Sequence, residues 1–255
     1  MLLSPLRYIN PISGNRGGSA AFSISKSFYL DGVDEYFTIP NADLSGVLQG
    51  VVQASFNFTF KFSDDNNFTL WGNGLVDRGI FIGYAQSANF LQIYYYNQIS
   101  QIRYLRFPSS AFVVNDWNNA TFTIDTTTVS NIKLFVDGVE ISPIASQGLT
   151  NNEEVLTTSD DFTIGLSIAA YGNFGGYISQ ISVIDRVISL SEHQNWYNNG
   201  TPKNPQQLFG SNCKFFFNPD NSGDTAQFSV VDSVNSITAT SVNMEDADKT
   251  TETPY

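Results

Sequence analysis

Between Val51 and Phe62 the chain alternates without a break: Ala54, Phe56, Phe58, Phe60 and Phe62 fall on one side, Ser55, Asn57, Thr59 and Lys61 on the other. A period of two places successive side chains on opposite faces of a strand, whereas a helix would scatter the same four Phe residues around its circumference. The segment therefore predicts a half-buried strand, ended by the polar run Asp64-Asp-Asn-Asn67. The composition extends that expectation to the whole chain. Among 255 residues there are 21 Phe and 12 Tyr, and only 14% are charged, a mix that suits pleated, packed surfaces better than helices. A chain of this length is long enough for one large β-sandwich.

Further strands follow from the same signals. Phe28 to Pro40 reads as strand, tight turn and strand around Asp31-Gly32 and Asp34-Glu35, and Asn41 to Gly46 as a loop. Phe90 to Tyr96 and Gln101 to Phe107 form a hairpin across Asn97 to Ser100. With Tyr94 opposite Tyr104, Leu91, Ile93, Leu105 and Phe107 share one face, and Gln92, Tyr94, Tyr96, Tyr104 and Arg106 share the other. Trp117 to Asp125 is another strand. Asp137-Gly138 turns a hairpin within Ile132 to Ile141, and Gly175 to Arg186 is a long core strand. Ser189 and Glu192 fit a capping box, which predicts the one short helix near residues 190–198, stopped by Gly200 and Pro202. The fold class expected is all-β, a two-sheet antiparallel sandwich. Residues 1–25 form an extended arm, 26–202 the sandwich, and 203–255 a C-terminal β appendage packed on or beside it.

Charge and residue chemistry remove several functions. A formal net charge of −12 opposes a phosphate backbone or an anionic membrane, so neither nucleic acid nor membrane is an expected partner. No apolar run approaches the roughly 20 residues of a membrane helix. Cys213 and His193 are the only residues of their types, which excludes a Cys/His zinc cluster; Cys213 is expected to be a small buried side chain. Asp31, Asp34, Asp64 and Asp65 offer oxygens but read better as turn formers, so no metal and no cofactor are expected. No strand carries alternating acids, and the pairs Asp64-Asp65 and Asp160-Asp161 belong to loops, so no catalytic residues are expected. Met1 to Arg7 lacks a secretory pattern, so the expected location is inside a cell or on a virion assembled in the host cytoplasm.

Tyr29-Leu-Asp-Gly-Val-Asp-Glu-Tyr-Phe37, Trp117-Asn118, Ile132-Lys-Leu-Phe-Val-Asp-Gly-Val139, Phe174 to Arg186 and Trp196-Tyr-Asn-Asn-Gly-Thr-Pro202 occur in an order that resembles the laminin G-like family of concanavalin A-like jelly rolls. The resemblance covers about residues 28–202 and implies two antiparallel sheets packed face to face. Such domains serve as glycan- or protein-binding modules, as parts of hydrolases, and in structural proteins of tailed bacteriophages. The resemblance, with the missing leader and the apolar arm, suggests a non-enzymatic virion protein, a capsid-decoration, head-fibre or tail component present in many copies or as a homo-oligomer. In that reading Leu2, Leu3, Leu6, Tyr8 and Ile9 anchor the arm to other virion proteins. The face of Gln92, Tyr94, Tyr96, Tyr104 and Arg106 contacts a protein partner first and a host glycan second. The alternative is a carbohydrate-binding adhesin module, and a glycan hydrolase comes third.

Overall fold

The computed structural model describes residues 22–62, 67–73, 79–85, 90–156, 158–166, 172–223, 227–232 and 235–254. Leu2, Leu3, Leu6, Tyr8 and Ile9 of the arm, and Asp64 and Asp65, lie outside them. In chain order the first strands are β1 (Ser27–Asp31), β2 (Tyr36–Ile39), β3 (Gln53–Phe62), β4 (Phe68–Asn73), β5 (Ile80–Ala85), β6 (Phe90–Tyr96), β7 (Ile102–Pro108) and β8 (Asn118–Asp125). There follow β9 (Leu134–Val136), β10 (Val139–Ile141), β11 (Ala145–Gln147), β12 (Phe162–Ile164), β13 (Gly175–Ile184), β14 (Cys213–Phe217), β15 (Ser229–Val231), β16 (Thr238–Val242) and β17 (Lys249–Thr250).

Two antiparallel sheets result. An eight-stranded sheet runs β10-β9-β8-β3-β13-β1-β17, with β14 also on β13, and a nine-stranded sheet runs β11-β7-β6-β5-β4-β12-β2-β16-β15. This is a concanavalin A-like sandwich. The Phe row of β3 faces its core, where Phe56 meets Trp71 of β4 with ring centroids 5.4 Å apart and Trp71 meets Phe162 of β12 at 5.7 Å. Each fully buried Phe stabilises the fold by roughly 1.5–3 kcal/mol relative to exposure. The segment after residue 203 contributes to the same core through Phe215, Phe217, Phe228 and Val230.

Two local expectations change. Asn41–Leu48 forms a helix, α1, rather than the loop read from Asn41 to Gly46, because Leu44 and Leu48, four residues apart, both reach the core. β3 is buried on both faces, not one: Ser55, Asn57 and Thr59 are covered as fully as the Phe row. The cover is the helix α2 (Leu190–Tyr197) with the residues around it. Its start follows the expected capping box, Ser189 accepting from the Glu192 N–H while Glu192 accepts from the Ser189 N–H. Trp196 and His193 of α2 are fully buried, and a third short helix, α3 (Pro205–Phe209), sets Phe209 against Trp196 at 5.0 Å. The single helix expected near residues 190–198 is thus one of three α-helices among the described residues, α1 and α3 being held by the core contacts of Leu44, Leu48 and Phe209.

Candidate functional site

The hairpin β6–β7 has the expected register, with Tyr94 opposite Tyr104, Gln92 opposite Arg106 and Leu91 opposite Phe107. Gln92, Tyr94, Tyr96, Tyr104 and Arg106 therefore do share the outer face of the nine-stranded sheet. Their exposure divides them. Tyr94 and Tyr96 are only 5% and 8% exposed and form a small cluster with Phe81, whose ring stacks on Tyr94 at 4.9 Å and 13°. Gly72 makes room for that stack, since a Cβ there would come within 2.9 Å of Phe81 Cδ1. Tyr104 and Arg106 remain partly open, but the Arg106 guanidinium lies 4.1 Å from the Tyr104 centroid and 4.0 Å from that of Phe90. The ring face a sugar would cover already carries an arginine.

A concave site opens instead on the other sheet, a cleft of about 160 Å³ between the start of β8, the β9–β10 turn and the end of α2. Trp117 and Tyr197, both partly exposed, line it with Thr59, Asp116, Asn119 and Asp137. Local chemistry fixes each. Asp116 Oδ1 accepts from the Trp117 N–H at 2.8 Å, and Asn118 bridges back to Val113 O and N–H, which holds the entering loop. Asp137 and Gly138 both have positive φ, 47° and 85°, the backbone of a two-residue type I′ turn, and this places Asp137 Oδ1 2.9 Å from the Asn119 N–H. Burial and, after it, the Asp116 charge hold the Asp137 carboxyl above the usual carboxylate range, against the lowering effect of that N–H. Burial and Asp137 likewise raise the Tyr197 phenol. Among the described residues the second oxygens of Asp116 and Asp137 and the Tyr197 hydroxyl have no hydrogen-bond partner, so the cleft offers two acceptors, a phenol and an indole.

Beneath it runs a chain of buried hydrogen bonds. Asn57 Nδ2 donates to Asn119 Oδ1 at 3.0 Å and Thr121 Oγ1 at 2.9 Å, Asn119 Nδ2 donates to Thr59 Oγ1 at 2.8 Å, and Thr121 Oγ1 meets His193 Nδ1 at 2.8 Å. The Gly138 N–H donates to His193 Nε2 at 3.1 Å, so Nε2 is an acceptor and the imidazole is neutral with its proton on Nδ1. Loss of water around the ring brings its pKa down to about 4. His193 thus ties α2 to the turn that carries Asp137. Across the ladder from Thr59, Gln180 has both amide atoms buried without a partner among the described residues.

In sequence, Trp117 marks a strand start and Asp137 a turn, and both belong to the segments that carry the family resemblance, but neither stands out as a site residue. One signal was available: an indole between Asp116 and Asn118 at a strand's beginning sits at a sheet end, where side chains stay open to solvent. Asp31 and Asp34 fall in the β1–β2 turn, where Asp31 Oδ1 accepts the Val33 N–H, a turn-forming role. Among the described residues no group of three or more acids, His or Cys is placed to hold a metal ion. Cys213 is fully buried and its thiol is pushed up to about 12, chiefly by that burial.

Comparison with known proteins agrees with this architecture. A protein of Bacteroides ovatus assigned to carbohydrate binding superposes with a TM-score of 0.58 at 13% identity, over 86% of this chain; the chain spans 58% of that protein's length. The CBM40 module of a Ruminococcus gnavus sialidase, solved with α2,3-sialyllactose, superposes with a TM-score of 0.49 at 20% identity over 66% of this chain and 94% of the module. A search of curated protein sequences finds no match. The family model described as the concanavalin A-like lectin/glucanases superfamily, of laminin G type, matches residues 18–192, and the chain belongs to that family.

Proposed function

We propose that this chain is a non-catalytic carbohydrate-binding module that holds a neutral sugar residue in the Trp117 cleft. The observation that carries the reading is the pairing, in one concave site, of a partly exposed indole with two carboxylates that each keep an unpaired oxygen. Vicinal hydroxyls donate to such oxygens, and the apolar face of a pyranose covers the indole. Few well-placed polar groups within an apolar lining are the general pattern of small-ligand sites. The carbohydrate-binding assignment of the Bacteroides ovatus protein supports the same use of the fold. A virion role, expected from the sequence resemblance, depends on the arm beyond the described residues and gains nothing from these structural relatives.

Screening the protein on immobilised neutral glycans tests the reading. Wild type should be retained on at least one, Trp117→Ala and Asp137→Asn should each weaken retention about tenfold, or about 1.4 kcal/mol, and no free sugar should be released. Retention unaffected by both substitutions would sink it, and sugar release would convert the module into an enzyme.

A further inference from the structure

On the opposite face of the sandwich, Arg106 differs from the other described arginines. In a chain of net charge −12, Arg103 pairs with Glu153 at 2.8 Å, Arg186 with Glu192 at 2.6 Å, and Lys61, Lys133 and Lys214 each have a carboxylate within 3.0 Å. Arg106 is the one described arginine without an acidic partner. Its Nε donates to the neutral amide oxygen of Gln92 at 3.0 Å, and Phe90 and Tyr104 cover its flat faces at 4.0 and 4.1 Å. Among the described residues the two terminal nitrogens have no acceptor, and the Tyr104 hydroxyl has no hydrogen-bond partner either.

We infer that Arg106 is the recognition group of a second ligand site, separate from the Trp117 cleft, that takes the carboxylate of an acidic sugar residue. Two parallel N–H donors in a planar fork match the two oxygens of a carboxylate, a geometry that a lysine ammonium does not reproduce. The fork is already oriented: both its faces and its inner nitrogen are engaged on rigid strands, so binding costs little side-chain freedom. A partly buried cation without a counter-ion is otherwise unfavourable, which a bound carboxylate relieves. The Tyr104 hydroxyl supplies a partner for a neighbouring sugar hydroxyl. The negative charge of the whole molecule opposes an anion only weakly, because exposed charges beyond about 8 Å are screened at physiological ionic strength.

Isothermal titration of the whole protein with glucuronate, its methyl ester, glucose and a tetraglutamate peptide tests the inference. Glucuronate should bind at least about tenfold more tightly than its uncharged ester or glucose, and the peptide should not compete. Arg106→Gln and Arg106→Lys should each weaken glucuronate about tenfold, while Trp117→Ala should leave it unchanged. The inference is overturned if ester and acid bind alike, if Arg106→Lys binds as wild type, or if the peptide binds in preference. Loss of glucuronate binding in Trp117→Ala would also overturn it while leaving the cleft's role intact. The ester comparison requires no variant and stands even if a substitution disturbs folding.

Discussion

On the nine-stranded sheet Tyr94 and Tyr96 are 5% and 8% exposed with Phe81 packed among them, whereas on the eight-stranded sheet Trp117 and Tyr197 stand partly open around a cleft. Both regions combine aromatic rings with a hydrogen-bonding group, and either would pass for a sugar platform in sequence. On the first the Tyr94 and Tyr96 rings are closed ring on ring, and only the Arg106 fork at its rim stays open. The second leaves acceptors unpaired beside an indole. What separates an aromatic cluster from a binding site is whether the chain has already supplied the partner.

The sharpest way to break this contrast is to remove a ring from the closed face. Tyr94→Ala deletes a buried aromatic and should cost about 3–5 kcal/mol in urea denaturation, as large-to-small core changes do. A loss under about 1 kcal/mol would mean that the face is open and that Tyr94 is available to a ligand.

The network under the cleft predicts a pH effect nearly as large. Unfolded His193 gains its proton as pH falls through 6.5, but the folded imidazole, dehydrated and accepting the Gly138 N–H, holds out to about 4. Its contribution to stability is complete above pH 6.5 and is lost toward pH 4, about 3 kcal/mol over that window. Glu35 acts in the opposite sense. Burial raises its carboxyl from 4.5 to about 7, so its folded form keeps a proton that the unfolded form has released, and stability falls as pH rises between those values. The two slopes oppose each other in wild type between pH 4.5 and 6.5. In Glu35→Gln, stability should therefore climb by about 3 kcal/mol from pH 4 to 6.5, and a level profile there would show that His193 is not held neutral.

Gly72→Ala tests the closed face from below. The added Cβ meets the Phe81 ring at 2.9 Å and should cost about 1–3 kcal/mol as overpacking, with no change in glycan retention at the cleft. Retention that falls in parallel would mean the two faces are coupled. Trp117→Ala should show the reverse pattern, with stability altered by less than about 1 kcal/mol and retention reduced about tenfold.

The strands were legible because their evidence is local. The β3 alternation, the Asp137-Gly138 turn, the Tyr94–Tyr104 register and the Ser189–Glu192 capping box all depend on neighbours in sequence. Whether a face is covered does not. Asn57 and Thr59 look like solvent residues in β3, yet α2, arriving from 130 residues later, buries them, as the 2.8 Å contact of His193 with Thr121 records. The same limit hid the cleft, since Trp117, Asp137 and Tyr197 come from three separate elements. Asn41–Leu48 was missed for a related reason: a single Leu44–Leu48 pair is too short a period to declare a helix without the core it packs against.

Tryptophan fluorescence gives the most direct measurement of the central claim. Of the three tryptophans, Trp71 and Trp196 are fully buried and Trp117 lines the cleft, so a sugar bound there can change emission only through Trp117. The account predicts that a retained neutral glycan shifts the emission and protects it from acrylamide quenching in wild type, and that Trp117→Phe abolishes both changes. Glycan binding that leaves the emission and quenching of wild type untouched would contradict it.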